Sequence, residues 1–214
     1  MAHIIAGLAN TDSMRVLIGC ERSGVIREAF RRLGHDAWSC DLADPTDCSS
    51  YHYKCDLRDM FPGRWDLFIV HPDCTYLSVS GLHWNKRRPE RAEKTEKALA
   101  FVRWCFQAGE QWCDAMCLEN PISCISTRIR KPDQIIQPWQ FGEDASKATC
   151  LWLKNLPLLQ PTNILPGGRE ARRANQTPSG QNKLGPSPQR AMERARTIQG
   201  IAEAMAAQWT QEAA

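Results

Sequence analysis

Residues 15–41 of the chain read RVLIGCERSGVIREAFRRLGHDAWSCD, and this stretch decides the fold. The apolar run Arg15–Cys20 predicts a buried strand. Residues 25–34 have apolar positions at helical spacing, with Ser23 as the expected cap and Gly34 at the end. His35–Cys40 predicts a second strand, closed by Asp41. The order strand, helix, strand predicts a βαβ unit, and therefore an α/β fold with a doubly wound, mostly parallel sheet.

The loop Gly19–Gly24 lies where the first helix is expected to begin. Backbone N–H groups at a helix amino terminus, together with permissive glycines, suit a bound cofactor. An acid after the second strand, here Asp41, is placed to hold ribose hydroxyls. Asp56 follows the short apolar stretch Tyr51–Cys55 on the same predicted sheet edge. It either contacts an adenine amino group or only caps the next turn.

The stretch HPDCTYLSVSGLHW at 71–84 directly follows Leu67–Val70, an apolar run that predicts another buried strand. A Pro-Asp-Cys turn at the end of a strand, followed by small residues, puts one thiol where a substrate can reach it. Cys74 is therefore the candidate nucleophile, because a thiolate attacks best near neutral pH. The alternative is that Cys74 is one of ten cysteines and only a small buried apolar side chain.

A carboxylate is expected beside this thiol. After the long predicted helix Pro89–Glu110, the run Ala115–Leu118 predicts the next buried strand, which delivers Glu119-Asn120-Pro121 to the same sheet edge as Cys74. A nucleophile and a proton donor within reach of one ring are what addition to a pyrimidine requires.

These motifs resemble those of the DNA cytosine carbon-5 methyltransferases, in particular small phage-type members. The nucleophile loop of that family reads Pro-Pro-Cys followed by a Ser-x-x-Gly run, and here His71-Pro72-Asp73-Cys74 precedes Ser78-Val79-Ser80-Gly81. The family's Glu-Asn-Val is matched by Glu119-Asn120-Pro121. The resemblance covers about residues 14–122, and Arg196–Trp209 resembles the family's closing segment, which folds back beside the cofactor.

The resemblance implies a Rossmann-like S-adenosylmethionine-dependent methyltransferase fold that methylates carbon 5 of cytosine in DNA through a covalent cysteine adduct. It implies S-adenosylmethionine as cofactor and Cys74, Glu119 and Asn120 as catalytic residues, with Asn120 holding the nucleophile loop or acting only as a turn residue. The expected cofactor-binding residues are Gly19, Cys20, Glu21, Ser23, Gly24, Asp41, Leu42, Asp56, Leu57 and Pro72. The expected substrate-binding residues are Ser78, Ser80, Gly81, Lys86, Arg87, Arg88 and Lys147.

The chain departs from that family in three places. A Pro/Gly-rich loop at 157–188 stands where a recognition domain is expected, so that 14–214 is predicted to be a single domain. There is no convincing copy of the family's Gln-Arg-x-Arg segment. Lys147, before the predicted strand Cys150–Leu153, either contacts a phosphate there or belongs to an edge strand. Asp73 replaces the second proline, and its carboxylate disfavours the Cys74 thiolate unless a cation compensates.

Composition sets the outer limits. With 214 residues, 43% hydrophobic and 24% charged, the chain is typical of one globular domain. No apolar run approaches the roughly 18 residues of a membrane span. Met1–Ser13 lacks the features of a signal peptide and is interpreted as an upstream extension. Ten cysteines without such a signal favour the reducing cytoplasm of a bacterial or phage-infected cell. The spacing of Cys40, Cys48, His52 and Cys55 matches no paired metal-binding pattern.

Positive charge is concentrated in three segments, although the net charge of +3 is too small to indicate nucleic acid by itself. The segments are KRRPER at 86–91, REARR at 169–173 and RAMERAR at 190–196. The first either holds phosphates or is a solvated surface. Three functions stay open: methylation of cytosine in DNA, the same chemistry on a free pyrimidine nucleotide, and nucleic-acid binding without catalysis.

Overall fold

A computed structural model describes residues 13–179, 182–183 and 197–210. Residues 1–12 of the upstream extension, the basic segment 190–196 and most of the end of the Pro/Gly-rich loop lie outside the described residues. The strands are β1 Arg15–Gly19, β2 Asp36–Asp41, β3 His52–Lys54, β4 Trp65–Val70, β5 Cys113–Pro121, β6 Gln134–Ile136 and β7 Thr149–Lys154. The helices are α1 Val25–Arg32, α2 Val79–Leu82, α3 Pro89–Trp112, α4 Ile125–Arg128 and α5 Gln199–Trp209, with 3-10 helices at Leu57–Met60, His83–Lys86 and Pro138–Gln140.

All seven strands form one sheet in the order β3-β2-β1-β4-β5-β7-β6. The neighbours from β3 to β5 are parallel, and β7 is antiparallel to both β5 and β6. The predicted mixed α/β class with a mostly parallel sheet is confirmed. The strands predicted at Arg15–Cys20 and Leu67–Val70 are direct neighbours, with Val16 opposite Leu67.

The predicted strand at Cys150–Leu153 is present as part of β7, but the alternative that it is an edge strand is wrong. β7 is hydrogen-bonded on both sides, with Leu151 opposite Glu119 of β5 and Gln134 of β6. The physical reason lies in its burial, because Thr149 to Trp152 are four consecutive buried residues, as expected for a strand covered on both faces. The short β6 forms the edge instead.

Helices cover both faces of the sheet. Val16 and Ile18 of β1 pack with Phe30 of α1 and Ile201 of α5 on one face. Leu17 points to the other face. There it belongs to a second core with Leu99 and Val102 of α3. Because both faces are buried, the central strands are continuously apolar rather than alternating. No helix among the described residues is long and apolar enough to cross a membrane.

The start of α1 differs from the prediction that Ser23 caps it. The cap position is Gly24, which has a left-handed backbone with φ of 69°. The carboxylate of Glu21 accepts hydrogen bonds from the backbone N–H groups of Ile26 at 2.9 Å and Arg27 at 3.3 Å. Glu21 therefore satisfies the second and third N–H groups of the helix, while the Ser23 hydroxyl accepts from the first, that of Val25, at 3.4 Å.

The described part of the Pro/Gly-rich loop is fastened to the segment before β7. Asn175 exchanges two hydrogen bonds with the backbone of Ser146, at 2.9 and 3.0 Å. The buried Arg173 donates to the carbonyls of Pro166 and Gly168 and lies 5.2 Å above the ring of Trp139. This described part of the loop therefore packs against the segment before β7.

Candidate active site

A cavity of about 980 Å³ opens at the carboxyl ends of the parallel strands. Strand order runs from β1 through β2 to β3 on one side and from β4 to β5 on the other, so the crevice lies where the order reverses. Open α/β sheets bind their ligands at this point. Its lining includes Cys20, Glu21, Asp41, Leu42, Asp56, Leu57, Arg58, His71, Pro72, Asp73, Tyr76, Phe101, Glu119, Lys147, Ile198, Ile201 and Met205.

The loop that carries Cys74 is a tight turn directly after β4. The carbonyl oxygen of Cys74 accepts hydrogen bonds from the N–H groups of Leu77 at 3.1 Å and Ser78 at 2.9 Å. The carboxylate of Asp73 accepts from the N–H group of Thr75 at 2.9 Å and from its hydroxyl at 2.6 Å. Cys74 is half-buried and stands beside the cavity, whose lining includes its neighbours Asp73 and Tyr76.

Helix α3 holds this turn from outside. The guanidinium of Arg91 donates to the carbonyl of Thr75 at 2.8 Å and to that of Gly81 at 3.2 Å. The hydroxyl of Thr95 donates to the carbonyl of Tyr76 at 2.9 Å. Three backbone carbonyls of the loop are thus fixed by side chains of one long helix.

Glu119 and Asn120, at the end of β5, face the Cys74 loop from the neighbouring strand. Glu119 lines the cavity, and its Oε2 lies 2.9 Å from Nδ1 of His71. Burial by itself raises the pKa of Glu119, but the hydrogen bond and charge of His71, together with Lys147, outweigh burial and hold the pKa below its ordinary value. The buried Asn120 donates a 2.7 Å hydrogen bond to the carbonyl of Pro72.

The opposite side of the cavity is acidic. Cys20, the residue after β1, has a left-handed backbone with φ of 59°. Burial, and then the carboxylates of Asp41, Asp56 and Asp73, together raise the pKa of its thiol to about 12. Because all three carboxylates act on one thiol, the field in this part of the cavity favours cations and hydrogen-bond donors over anions.

Eight of the ten predicted cofactor-binding residues line the cavity, namely Cys20, Glu21, Ser23, Asp41, Leu42, Asp56, Leu57 and Pro72. Gly19 and Gly24 are not in the lining. A Cβ atom at Gly19 would lie only 2.6 Å from Cδ2 of Leu57. The absence of a side chain at Gly19 therefore lets Leu57, which lines the cavity, pack directly against the end of β1. Leu42 is 74% exposed at the rim.

Two of the predicted cofactor carboxylates also have structural partners. Glu21 caps α1, and Asp56 caps the 3-10 helix Leu57–Met60 by accepting from the N–H group of Arg58 at 2.9 Å. Asp56 also pairs with the guanidinium of Arg58 at 2.9 Å. Of the two roles expected for Asp56, the structure shows the capping of the next turn. The same side chain also lines the cavity.

The predicted substrate-binding residues lie in two places. Lys147 lines the cavity and acts electrostatically on Glu119. The hydroxyls of Ser78 and Ser80 are 3.1 Å apart on the nucleophile loop. Both serines are outside the cavity lining, as are the remaining residues Gly81, Lys86, Arg87 and Arg88, which lie between that loop and α3.

Arg87 and Arg88 surround an exposed tryptophan. Their guanidinium carbons lie 5.9 and 5.1 Å from the ring of Trp84, which is 40% exposed. Cations beside an aromatic ring are a common arrangement where proteins contact nucleic-acid strands. We call Trp84, Arg87 and Arg88 the basic aromatic patch.

The predicted set of site residues omitted several side chains in the cavity wall. Arg58 lies 5.4 Å from the ring of Phe101, and both line the cavity. Ile198, Ile201 and Met205 also line it, and these belong to the closing segment that the sequence had indicated. His71 also had a local signal, because it precedes the nucleophile turn directly, whereas Arg58 and Phe101 had none. No group of three or more His, Cys, Asp or Glu within the described ranges could hold a metal ion.

Comparisons with known proteins add no family to these observations. No protein-family model matches the sequence, and no curated protein matches it. The function is therefore argued from the cavity and the residues around it.

Proposed function

We propose that the protein transfers a methyl group from S-adenosylmethionine to carbon 5 of cytosine in DNA, through a covalent adduct at Cys74. One observation carries this proposal: the Cys74 turn and Glu119 follow adjacent parallel strands, β4 and β5, beside one cavity. The hydrogen bond from Asn120 to Pro72 joins the two strand ends. In this proposal the nucleophile and the carboxyl group act on one ring.

The chemistry proceeds in two stages. The Cys74 thiolate forms a bond to carbon 6 while a proton from Glu119 goes to ring nitrogen 3, which makes carbon 5 electron-rich enough to accept a methyl group. A base then removes the carbon-5 proton, the bond between sulfur and carbon 6 breaks, and the proton on nitrogen 3 returns. Bound S-adenosylmethionine supplies an electrophilic methyl group. In a duplex, the target base first has to leave the helix stack.

The cavity residues fit a cofactor of this kind. A sulfonium is cationic, and the carboxylates of Asp41, Asp56 and Asp73 create the field that favours it. Asp41 stands at the end of β2, where an acid holds ribose hydroxyls. Leu42 offers an exposed apolar side chain to a flat base. A volume of about 980 Å³ is at the upper end of ligand cavities, which typically hold about 300–1,000 Å³.

A free pyrimidine nucleotide is the second candidate substrate. The observation that favours it is the described part of the Pro/Gly-rich loop, which is fastened to Ser146 through Asn175 instead of extending as a recognition element. The basic aromatic patch favours DNA. Its three exposed side chains lie outside the cavity lining, where a longer nucleic-acid strand contacts them but a small nucleotide bound in the cavity does not. A nucleic-acid-binding protein without turnover is the third candidate.

The deciding experiment is a mass-spectrometric assay with S-adenosylmethionine and three substrates: a duplex, the same duplex with 5-fluorocytosine, and a free cytosine nucleotide. We expect 5-methylcytosine in the first duplex and a trapped adduct with the second, because fluorine cannot leave as the carbon-5 proton does. Cys74→Ser should form neither product, while Cys48→Ser, at an exposed cysteine outside the cavity lining, should form both.

The outcomes separate the candidates. Product from the free nucleotide alone supports the second substrate, and binding without any product supports the third candidate. Methylation at carbon 5 by Cys74→Ser would overturn the mechanism.

A further inference from the structure

His71 and Glu119 form a pair of titratable side chains in the lining of the cavity. They are 48 residues apart in the chain, and Nδ1 of His71 lies 2.9 Å from Oε2 of Glu119. The two side chains are only 15% and 18% exposed. The backbone N–H group of His71 donates to the carbonyl of Gly19 at 3.0 Å, which joins the main chain of His71 to the end of β1.

The other groups that face Glu119 leave His71 as its proton partner. Lys147 acts on Glu119 from the segment before β7, and the thiols of Cys117 and Cys150 face it from β5 and β7. Burial, and then the charge of Glu119, raise the pKa of the Cys117 thiol. The same two causes raise the pKa of the Cys150 thiol to about 11. Both thiols are therefore neutral near pH 7 and do not exchange protons with the carboxylate. Among these groups the His71 ring is the one that lies within hydrogen-bond distance of the carboxylate, and an imidazole nitrogen can either donate or accept a hydrogen.

The proposed reaction requires a proton on Glu119, and the pairing with His71 bears on the source of that proton. His71 and Lys147 favour the ionised form of Glu119, yet ring nitrogen 3 needs a proton from it. An ionised carboxylate only accepts hydrogen bonds, so the hydrogen between the two side chains is on Nδ1 of His71. The Nε2 atom of His71 is buried and has no hydrogen-bond partner among the described residues, so Glu119 is the partner through which the ring exchanges a hydrogen.

We propose that His71 stores the proton that Glu119 passes to ring nitrogen 3 of cytosine. This inference rests on the proposed function and deepens it. The protonated ring gives its Nδ1 proton to Oε2, the carboxyl group gives a proton to nitrogen 3, and His71 is left neutral with its hydrogen on Nε2. When the adduct breaks down, the proton returns from nitrogen 3 through Glu119 to Nδ1. His71 touches no substrate atom and acts as a positioning and proton-storing residue.

The test compares His71→Asn with His83→Asn by the rate of trapping on 5-fluorocytosine DNA between pH 5.5 and 8.5. Asparagine can still donate a hydrogen bond to Glu119 but cannot carry a transferable proton. We expect His71→Asn to be about 100-fold slower at pH 8, the lower end of the usual gain from general acid catalysis, and to approach the wild-type rate near pH 5.5. His83 is exposed beside Trp84, so His83→Asn should keep the wild-type profile.

A second measurement does not depend on turnover. Carbon-13 NMR of labelled Glu119 should show a higher pKa in His71→Asn than in the wild type, because the charge of His71 is lost while burial remains. His71→Gln serves in both measurements if His71→Asn does not fold.

An equal slowing at every pH assigns His71 a structural role only and overturns the proposal. An unchanged profile, or an unchanged Glu119 pKa, overturns it as well, while the proposed function stands. If the wild type traps nothing at any pH, the proposed function has failed and this inference fails with it.

Discussion

The side-chain amide of Asn120 donates a 2.7 Å hydrogen bond to the carbonyl oxygen of Pro72, two residues before Cys74. It joins the last part of β5 to the turn that follows β4, inside the protein, where Asn120 is 1% exposed. A buried carbonyl that loses its donor is costly, so this bond makes the position of the turn depend on β5. The proposed nucleophile is therefore positioned by the strand that also carries Glu119.

Asn120→Ala should lower stability by about 1–3 kcal/mol, the cost of an unpartnered buried polar group. It should also slow adduct formation by at least about tenfold, because the turn is no longer fixed. Urea unfolding and the trapping assay measure the two effects.

The matched control is Gln134→Ala. It removes an amide that exchanges hydrogen bonds with the backbone of Leu159 at 2.7 and 2.8 Å, on the edge strand β6. It should lower stability without changing the trapping rate. Equal trapping rates in both variants would show that Asn120 only stabilises the fold.

Asp41→Ala should weaken binding of S-adenosylmethionine by roughly 10–100-fold, as measured by calorimetry, because hydrogen bonds to charged groups contribute about 1.5–3 kcal/mol. Asp44→Ala is the control. Asp44 is exposed, pairs with Lys54 at 2.8 Å and is not in the cavity lining. Because Asp41 also accepts from the N–H group of Ala43, thermal unfolding must be compared for both variants. Unchanged affinity in a folded Asp41→Ala protein would remove Asp41 from the cofactor site.

Removal of both arginines from the basic aromatic patch should weaken duplex binding and make it less sensitive to salt. For Arg87→Ala/Arg88→Ala, the slope of log affinity against log salt concentration should decrease by about 2, roughly one for each lost phosphate contact. Lys97→Ala/Arg103→Ala removes the same charge from exposed positions of α3 and should change the slope less. Fluorescence anisotropy at several salt concentrations measures both, and equal slopes would contradict a specific role for the patch.

Cys20 should resist alkylation although it lines the cavity. Its pKa is raised to about 12 by burial and by Asp41, Asp56 and Asp73, so at pH 8 nearly every molecule holds the unreactive thiol. Reactivity should increase as the pH rises toward that value. Cys48, which is exposed, should react with iodoacetamide at least about tenfold faster at pH 8, as measured by peptide mass spectrometry. Rapid labelling of Cys20 at pH 8 would contradict the raised pKa that burial and the three carboxylates give its thiol.

Local sequence was enough to predict the main strands and the sheet edge at which the proposed catalytic residues lie. The runs in β1 and β4 are continuously apolar because central parallel strands are buried on both faces. Parallel strands end on the same sheet edge, so Cys74 and Glu119 could be expected side by side before any contact was known. The capping of α1 could not be read in this way, since Glu21 reaches N–H groups five and six residues ahead.

The sequence by itself determined the α/β class, the strand ends that meet at the cavity and the residue types brought there. Only the tertiary structure decided that β7 inserts antiparallel beside β5, that His71 pairs with Glu119 and that Asn120 bonds Pro72. The physical reason is the separation of the interacting residues along the chain. Hydrophobic periodicity is set by neighbours a few residues apart, whereas each of these pairings joins groups more than 25 residues apart, through sheet register and packing.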